Sequence, residues 1–155
     1  MKPKTLALWE RYSALPGGRW LFSRLVCFKA PYFATIRPWI RVLQPERCEV
    51  HVRKRRGVLN HIGTVHAIAM CNMAELAAGT MTEVTLPPTH RWIPKGMTVN
   101  YLAKATTDLR AVATPAATLN LETAGDYTVA VDVRDDKDTV VFSATVTMWI
   151  SPRRS

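Results

Sequence analysis

The chain predicts an α+β fold, in which a curved, mostly antiparallel sheet wraps one long central helix behind an N-terminal helical extension. Three observations carry that expectation. Residues 64–78 read as a helix that is apolar on nearly every side, and such a helix belongs inside a core. A strand-like alternation precedes it, and four or five more follow. One helix that is apolar all round needs a sheet curved about it to cover those sides.

The elements follow in order. Thr5 to Leu15 reads as a short helix, with Leu6, Trp9 and Tyr12 at helical spacing. Pro16-Gly17-Gly18 ends it. Arg19 to Arg41 is rich in aromatics and arginine and is broken by Pro31 and Pro38. It is expected to form one or two helices laid on the core or on a partner subunit. Contact with a membrane surface is the alternative, since aromatics interleaved with arginine suit an interface. From residue 47, Cys48, Val50 and Val52 alternate with Glu49, His51 and Arg53, as in a half-buried strand. Arg55 to Gly63 is a loop. The helix follows, with Thr64 as the expected N-cap and Gly79 as the residue just past its end. Residues 83–93 form a weak strand damaged by Pro87-Pro88. Further strands are expected around residues 97–103, 109–113, 127–133 and 140–148, with a turn at Asp135–Asp138. The expected division is residues 1–46 as the extension, 47–152 as the helix-and-sheet domain and 153–155 as a tail.

Composition narrows the classes of function. The length of 155 residues suits one domain with a real core. No apolar run reaches the roughly 18 residues that a spanning helix needs. Leu6 to Trp9 is too short for a secretory signal. Cys27, Cys48 and Cys71 are odd in number and widely spaced, which forms no metal-ligand pattern and points to the reducing cytoplasm. No metal and no redox cofactor is expected. Residues 1–56 hold 13 Lys/Arg against 3 Asp/Glu, whereas residues 57–155 hold 8 against 9. The net charge of +9 therefore belongs to the first third. It implies an anionic partner or a solvated face. Nucleic acid is disfavoured, because Arg53-Lys54-Arg55-Arg56 lacks the aromatic ladder or zinc motif that would accompany it.

The chemistry-bearing stretch is Asn60-His61-Ile62-Gly63-Thr64-Val65-His66-Ala67, followed by Glu75. A helix N-terminus offers unpaired N–H groups and the positive end of a dipole. The Ala67 N–H could polarise a carbonyl there, with Asn60 as a side-chain donor. Glu75 is expected to be buried, so that desolvation raises its pKa and makes it a better base. Ala67 and Glu75 are eight residues apart, about 12 Å along a helix axis. One chain cannot bring both to one carbonyl, so a shared site requires two subunits. Arg55 and Arg56, ahead of the Asn60 motif, are placed to meet phosphates of a substrate, with a solvated strand end as the default reading.

This pattern resembles the hotdog-fold superfamily, and within it the acyl-CoA thioesterases of the phenylacetic-acid-degradation type. The resemblance covers about residues 47–150. Asn60, Gly63, His66 and Glu75 fall in the family's places, with Ala67 where an oxyanion-hole glycine usually stands. It implies that Glu75 activates water or attacks the thioester carbon, and that Asn60 and the Ala67 N–H hold the carbonyl oxygen. It also implies a homodimer with interfacial sites, or a pair of such dimers, acting on an acyl-CoA or an acyl carrier protein. The chain departs from the family at His66-Ala67-Ile68, where relatives read His-Gly-Gly; Ile68 narrows the channel. The hydroxyl that relatives use to orient water has only Thr80 and Thr82 as candidates.

Other readings stand beside this one. Glu75 could be a structural acid satisfied by His66 or Asn72, and His66 could be a cap. Asn72, one turn before Glu75, lines a pocket or bonds to backbone. His61 and Glu75 are spaced as in hotdog dehydratases, though the His-Phe-Pro-Gly stretch of those enzymes is absent. A non-catalytic acyl-CoA or lipid-binding module is the third reading.

Overall fold

A computed structural model describes residues 2–153, so the end of the expected tail lies outside the described residues. Helices α1 (Lys4–Ser13) and α2 (Gly18–Lys29) come first. The turn between them uses Gly17 at φ 71, a left-handed conformation that suits glycine. Each helix turns one apolar face inward. Trp9 of α1 meets Phe22 of α2 edge to face, with ring centroids 5.1 Å apart. A short 3-10 helix, Pro31–Ile36, then carries Ile36 into the core. Leu6, Trp9, Phe22 and Ile36 share one hydrophobic cluster with Met73 and Phe142. The extension thus packs on the same core as the rest of the chain.

Strands β1 (Trp39–Gln44) and β2 (Arg47–Val52) form a hairpin. Here the expectation is corrected: the sheet begins at Trp39, not at residue 47, and residues 39–41 are strand rather than helix. Pro38 disfavours helix at the residue before it, and Arg37 takes a left-handed φ of 49. The chain leaves that corner extended, and Ile40 pairs with Val50 while Leu43 pairs with Cys48. After the central helix come β3 (His90–Tyr101), β4 (Leu109–Pro115), β5 (Gly125–Arg134) and β6 (Val140–Pro152). All pairings are antiparallel, in the order β1-β2-β4-β5-β6-β3. The inward rows of β4, β5 and β6 are apolar, as their alternation requires.

Helix α3 (Ala67–Thr85) lies on the inner face and touches all six strands. Both of its ends differ from expectation. The N-cap is His66, not Thr64: His66 Nδ1 accepts from the Ile68 N–H at 3.0 Å. At the other end Gly79 lies inside the helix, which runs six residues further. The Pro87-Pro88 pair stops it, since a helix seldom continues into a residue that precedes proline. The segment read as a weak strand is therefore the helix end, a proline turn and the start of β3. Gly79 is small for a packing reason. A Cβ there would come within 2.8 Å of the Trp92 ring. That ring is pinned by its Nε1–H, which donates to Glu83 Oε2 at 2.8 Å.

β3 pairs on one side only, with β6. Met97 and Tyr101 stand opposite the inward-facing Val146 and Phe142, yet they are 36% and 54% exposed. The inner face of the sheet therefore runs past the cover that α3 provides. No helix among the described residues is long and apolar enough to cross a membrane. Gly79→Val should push into the pinned Trp92 ring and destabilise the fold by about 1–3 kcal/mol, the usual cost of overpacking. Urea unfolding of the variant against the parent measures it, and an unchanged midpoint would refute the packing role of Gly79.

Candidate functional site

Backbone pairing fixes the loop before α3. Leu59 bridges Val65, the Asn60 N–H donates to the Thr64 carbonyl at 2.9 Å, and the His66 N–H donates to the Val58 carbonyl at 2.8 Å. The Asn60 side chain staples the tip. Its Oδ1 accepts from the Ile62 and Thr64 N–H groups, both at 3.1 Å, and its Nδ2 donates to Thr64 Oγ1 at 2.8 Å. Asn60 is thus bound up in shaping the loop, with one amide hydrogen left over. Gly63 permits the bend through a φ of 79. His61 and Ile62 project from the tip and are exposed.

The loop delivers the chain to the helix N-terminus. The Ile68 N–H is taken by His66 Nδ1, and the Ala69 and Met70 N–H groups both reach the His66 carbonyl. The Ala67 N–H alone of this first turn has no acceptor among the described residues. Ile68 is exposed beside it. A shallow cleft of about 190 Å³ opens here, and His66, Ile68 and Asn72 share its lining with Tyr32 and Thr35. Asn72 Nδ2 donates to Thr35 Oγ1 at 3.2 Å, while its Oδ1 is shut off from solvent with no donor. Arg55 reaches across and donates to the Thr35 carbonyl at 2.6 Å, whereas Arg56 points outward.

Glu75 is not buried in a single chain, which corrects the expectation that set it inside a greasy helix. Ile68, Cys71 and Glu75 form a stripe at i, i+3 and i+7 in which Ile68 and Glu75 are exposed and only Cys71 is partly covered. The sheet wraps the opposite side of α3, and the extension covers only its flank. Any desolvation of Glu75 must therefore come from a second molecule. Its carboxylate has no hydrogen bond or ion pair among the described residues. His66 is occupied as a cap and Asn72 is turned to Thr35, so neither satisfies it.

Glu75 lines a cleft of about 400 Å³ with mostly apolar walls. Val26, Ala30 and Phe33 come from the extension, and Leu76, Gly79 and Trp92 from the central domain. Thr80 and Lys29 line it as well. Thr82 is fully buried and donates to the Ala78 carbonyl at 2.8 Å, so of the two candidate hydroxyls only Thr80 lines the cleft at Glu75. Sequence reading missed Phe33 and Trp92, because nothing local says that segments so far apart in the chain meet over α3. Cys71 Sγ lies 3.6 Å from Tyr101 Oη, which ties the open stripe of α3 to the uncovered face of β3. Among the described residues no group of three or more His, Cys, Asp or Glu side chains could hold a metal ion.

The arrangement matches known structures. A protein crystallised by structural genomics is 48% identical, with a TM-score of 0.83 over 96% of this chain and 98% of that one. A Pseudomonas aeruginosa protein of unknown function, described as a "Probable Thioesterase", is 22% identical with a TM-score of 0.75, over 90% of this chain and 97% of that one. A Haemophilus influenzae thioesterase is 13% identical with a TM-score of 0.70, over 78% and 82%. No curated protein sequence matches the chain. The likeness is one of fold, and the helix-in-sheet architecture here is the hotdog fold. A domain of unknown function, DUF4442, matches residues 18–150, and the chain belongs to that family.

Proposed function

We propose that this protein hydrolyses a thioester of the acyl-CoA or acyl-carrier type, at sites shared between two copies of the chain. One observation carries the reading: an unpartnered carboxylate, Glu75, stands at an apolar cleft on the open stripe of α3. Such a group is free to activate water or to attack a thioester carbon. The unclaimed Ala67 N–H, at the positive end of the same helix, suits the oxygen that becomes an oxyanion. Both groups sit on one uninterrupted helix, about 12 Å apart along its axis. A second copy must therefore supply one of them. The unpaired β3 edge and the exposed Met97 and Tyr101 favour a two-fold pairing there, because open edges and large apolar patches are sites of association.

In this reading Asn60 acts by holding the loop, and its spare amide hydrogen adds to the oxyanion site. Thr80 orients the water. The cleft walled by Phe33 and Trp92 receives the acyl group. His61, Gly63, His66, Ile68 and Asn72 border the passage by which the thioester enters, and Arg55 and Arg56 lie on its charged side.

A panel of acyl-CoA thioesters, followed by release of free thiol, tests the reading. Glu75→Gln should lower kcat by about a hundred- to ten-thousandfold, the usual worth of a general base. It should leave stability unchanged, because the side chain is exposed. Ala67→Pro removes only the N–H at a position that tolerates proline, and should cost about a hundred- to a thousandfold in kcat. His61→Ala should leave hydrolysis nearly intact. Loss of enoyl-thioester hydration in both His61→Ala and Glu75→Gln would instead make the protein a lyase. Tight binding of acyl-CoA with no turnover by the parent would make it a binding module.

Two further outcomes test the shared site. Glu75→Gln and Ala67→Pro, each inactive alone, should regain activity when unfolded and refolded together. A mixed dimer keeps one site with both groups intact, and no recovery would refute sharing between copies. Met97→Lys should weaken association in analytical ultracentrifugation and lower activity in parallel. Full activity from a monomer would refute the two-copy site.

A further inference from the structure

The positive charge of the first third collects at a place the proposed hydrolysis does not use. A cleft of about 640 Å³ opens between α2, the Arg37-Pro38 corner, the β1–β2 hairpin and the start of β4. Arg24, Arg37, Arg41 and Arg53 line it. Among the described residues none of these four has a carboxylate within ion-pair distance. The one acid in the lining, Asp108, accepts from the Lys54 N–H at 2.8 Å. Like charges gathered around a concave, partly desolvated space repel one another unless an anion joins them.

Two tryptophans complete the walls. Arg41 stacks on the Trp39 ring, with its guanidinium carbon 4.0 Å from the centroid. Trp20 is 57% exposed, and Arg24 lies 6.0 Å from its centroid. Arg24 Nε and Trp39 Nε1 are shut off from solvent with no acceptor, so donors at this site go unmet. Arg24 also donates to the Pro38 carbonyl, which holds it in place. Arg37 keeps its left-handed φ at the rim, a conformation that is unfavourable for a residue with a side chain. Burial, followed by the charge of Arg41, pushes the His51 imidazole below its ordinary pKa.

Guanidinium groups match phosphate oxygens in a two-pronged fork. Indole faces accept flat bases by stacking. We propose that this cleft binds one phosphorylated nucleotide, with its base on the exposed Trp20 ring and its phosphates on Arg41 and Arg53. The volume lies within the range of small-molecule sites, and a single cleft with two indoles suits one nucleotide rather than a strand. A free nucleotide and the nucleotide end of a CoA thioester share this chemistry. The inference stands independently of thioester hydrolysis.

Isothermal titration of the full chain with ADP, adenosine 3′,5′-bisphosphate, CoA, adenosine and inorganic phosphate tests it. The nucleotides should bind at least about tenfold more tightly than adenosine or phosphate, and added salt should weaken them. Arg41→Ala, Arg53→Ala and Trp20→Ala should each weaken nucleotide binding by about tenfold or more. Glu75→Gln should leave it unchanged. Arg53 and Trp20 are exposed, so their variants fold even if loss of the Arg41–Trp39 stack harms the sheet edge. Tighter binding of CoA and the bisphosphate than of ADP assigns the CoA end as the ligand; equal binding assigns free nucleotides. Inorganic phosphate binding as tightly as ADP overturns the role of the base. Binding to anionic phospholipid vesicles with no nucleotide binding overturns the proposal in favour of a lipid surface.

Discussion

Helix α3 is rigid and continuous, and that constraint shapes everything proposed for the site. Its hydrogen-bonded backbone keeps the Ala67 amide and the Glu75 carboxylate about two turns apart, on one rod that touches every strand of the sheet. No rotamer change can bring them together. The open stripe of the helix and the open edge of β3 lie side by side, joined by the contact between Cys71 and Tyr101. In the proposed dimer that uncovered surface is where the second copy packs.

The N-terminal extension is more than a cover for one flank of the core. Leu6, Trp9, Phe22 and Ile36 enter the common hydrophobic cluster, so the burial that stabilises α3 depends on them too. The stretch from residue 30 to 38, around the 3-10 helix, is a shared wall. Ala30 and Phe33 face the cleft at Glu75, Thr35 meets Asn72 and Arg55, and Arg37 opens onto the cationic cleft. Three clefts thus meet along one short stretch of chain. Its two prolines, Pro31 and Pro38, stiffen both ends by fixing φ.

Much of the fold was legible from periodicity. The alternation at Tyr127–Val133 and Val140–Met148 identifies strands whose inward rows are buried. The all-apolar stretch after Thr64 identifies the central helix. The misreadings share a cause. Gly79 looked like a helix stop because glycine commonly ends helices, but its smallness serves Trp92, thirteen residues further on. Residues 39–44 looked like the tail of a helical region, because the aromatic and arginine-rich composition continues past the Pro38 break. The candidate site was legible as a motif and not as an environment. Glu75 stands out among apolar neighbours, yet which side of the helix stays open depends on where the sheet stops.

The sequence alone determined the local chemistry: a loop able to bend at Gly63, a helix start with free amides, one carboxylate two turns along, and a cationic first third. These follow from residue type and spacing, which act over a few positions. The tertiary structure alone decided which amide stays free, which walls surround Glu75, and where four arginines and two tryptophans converge. Those outcomes rest on contacts between segments far apart in the chain, set by how the sheet curves and where its edge is left unpaired.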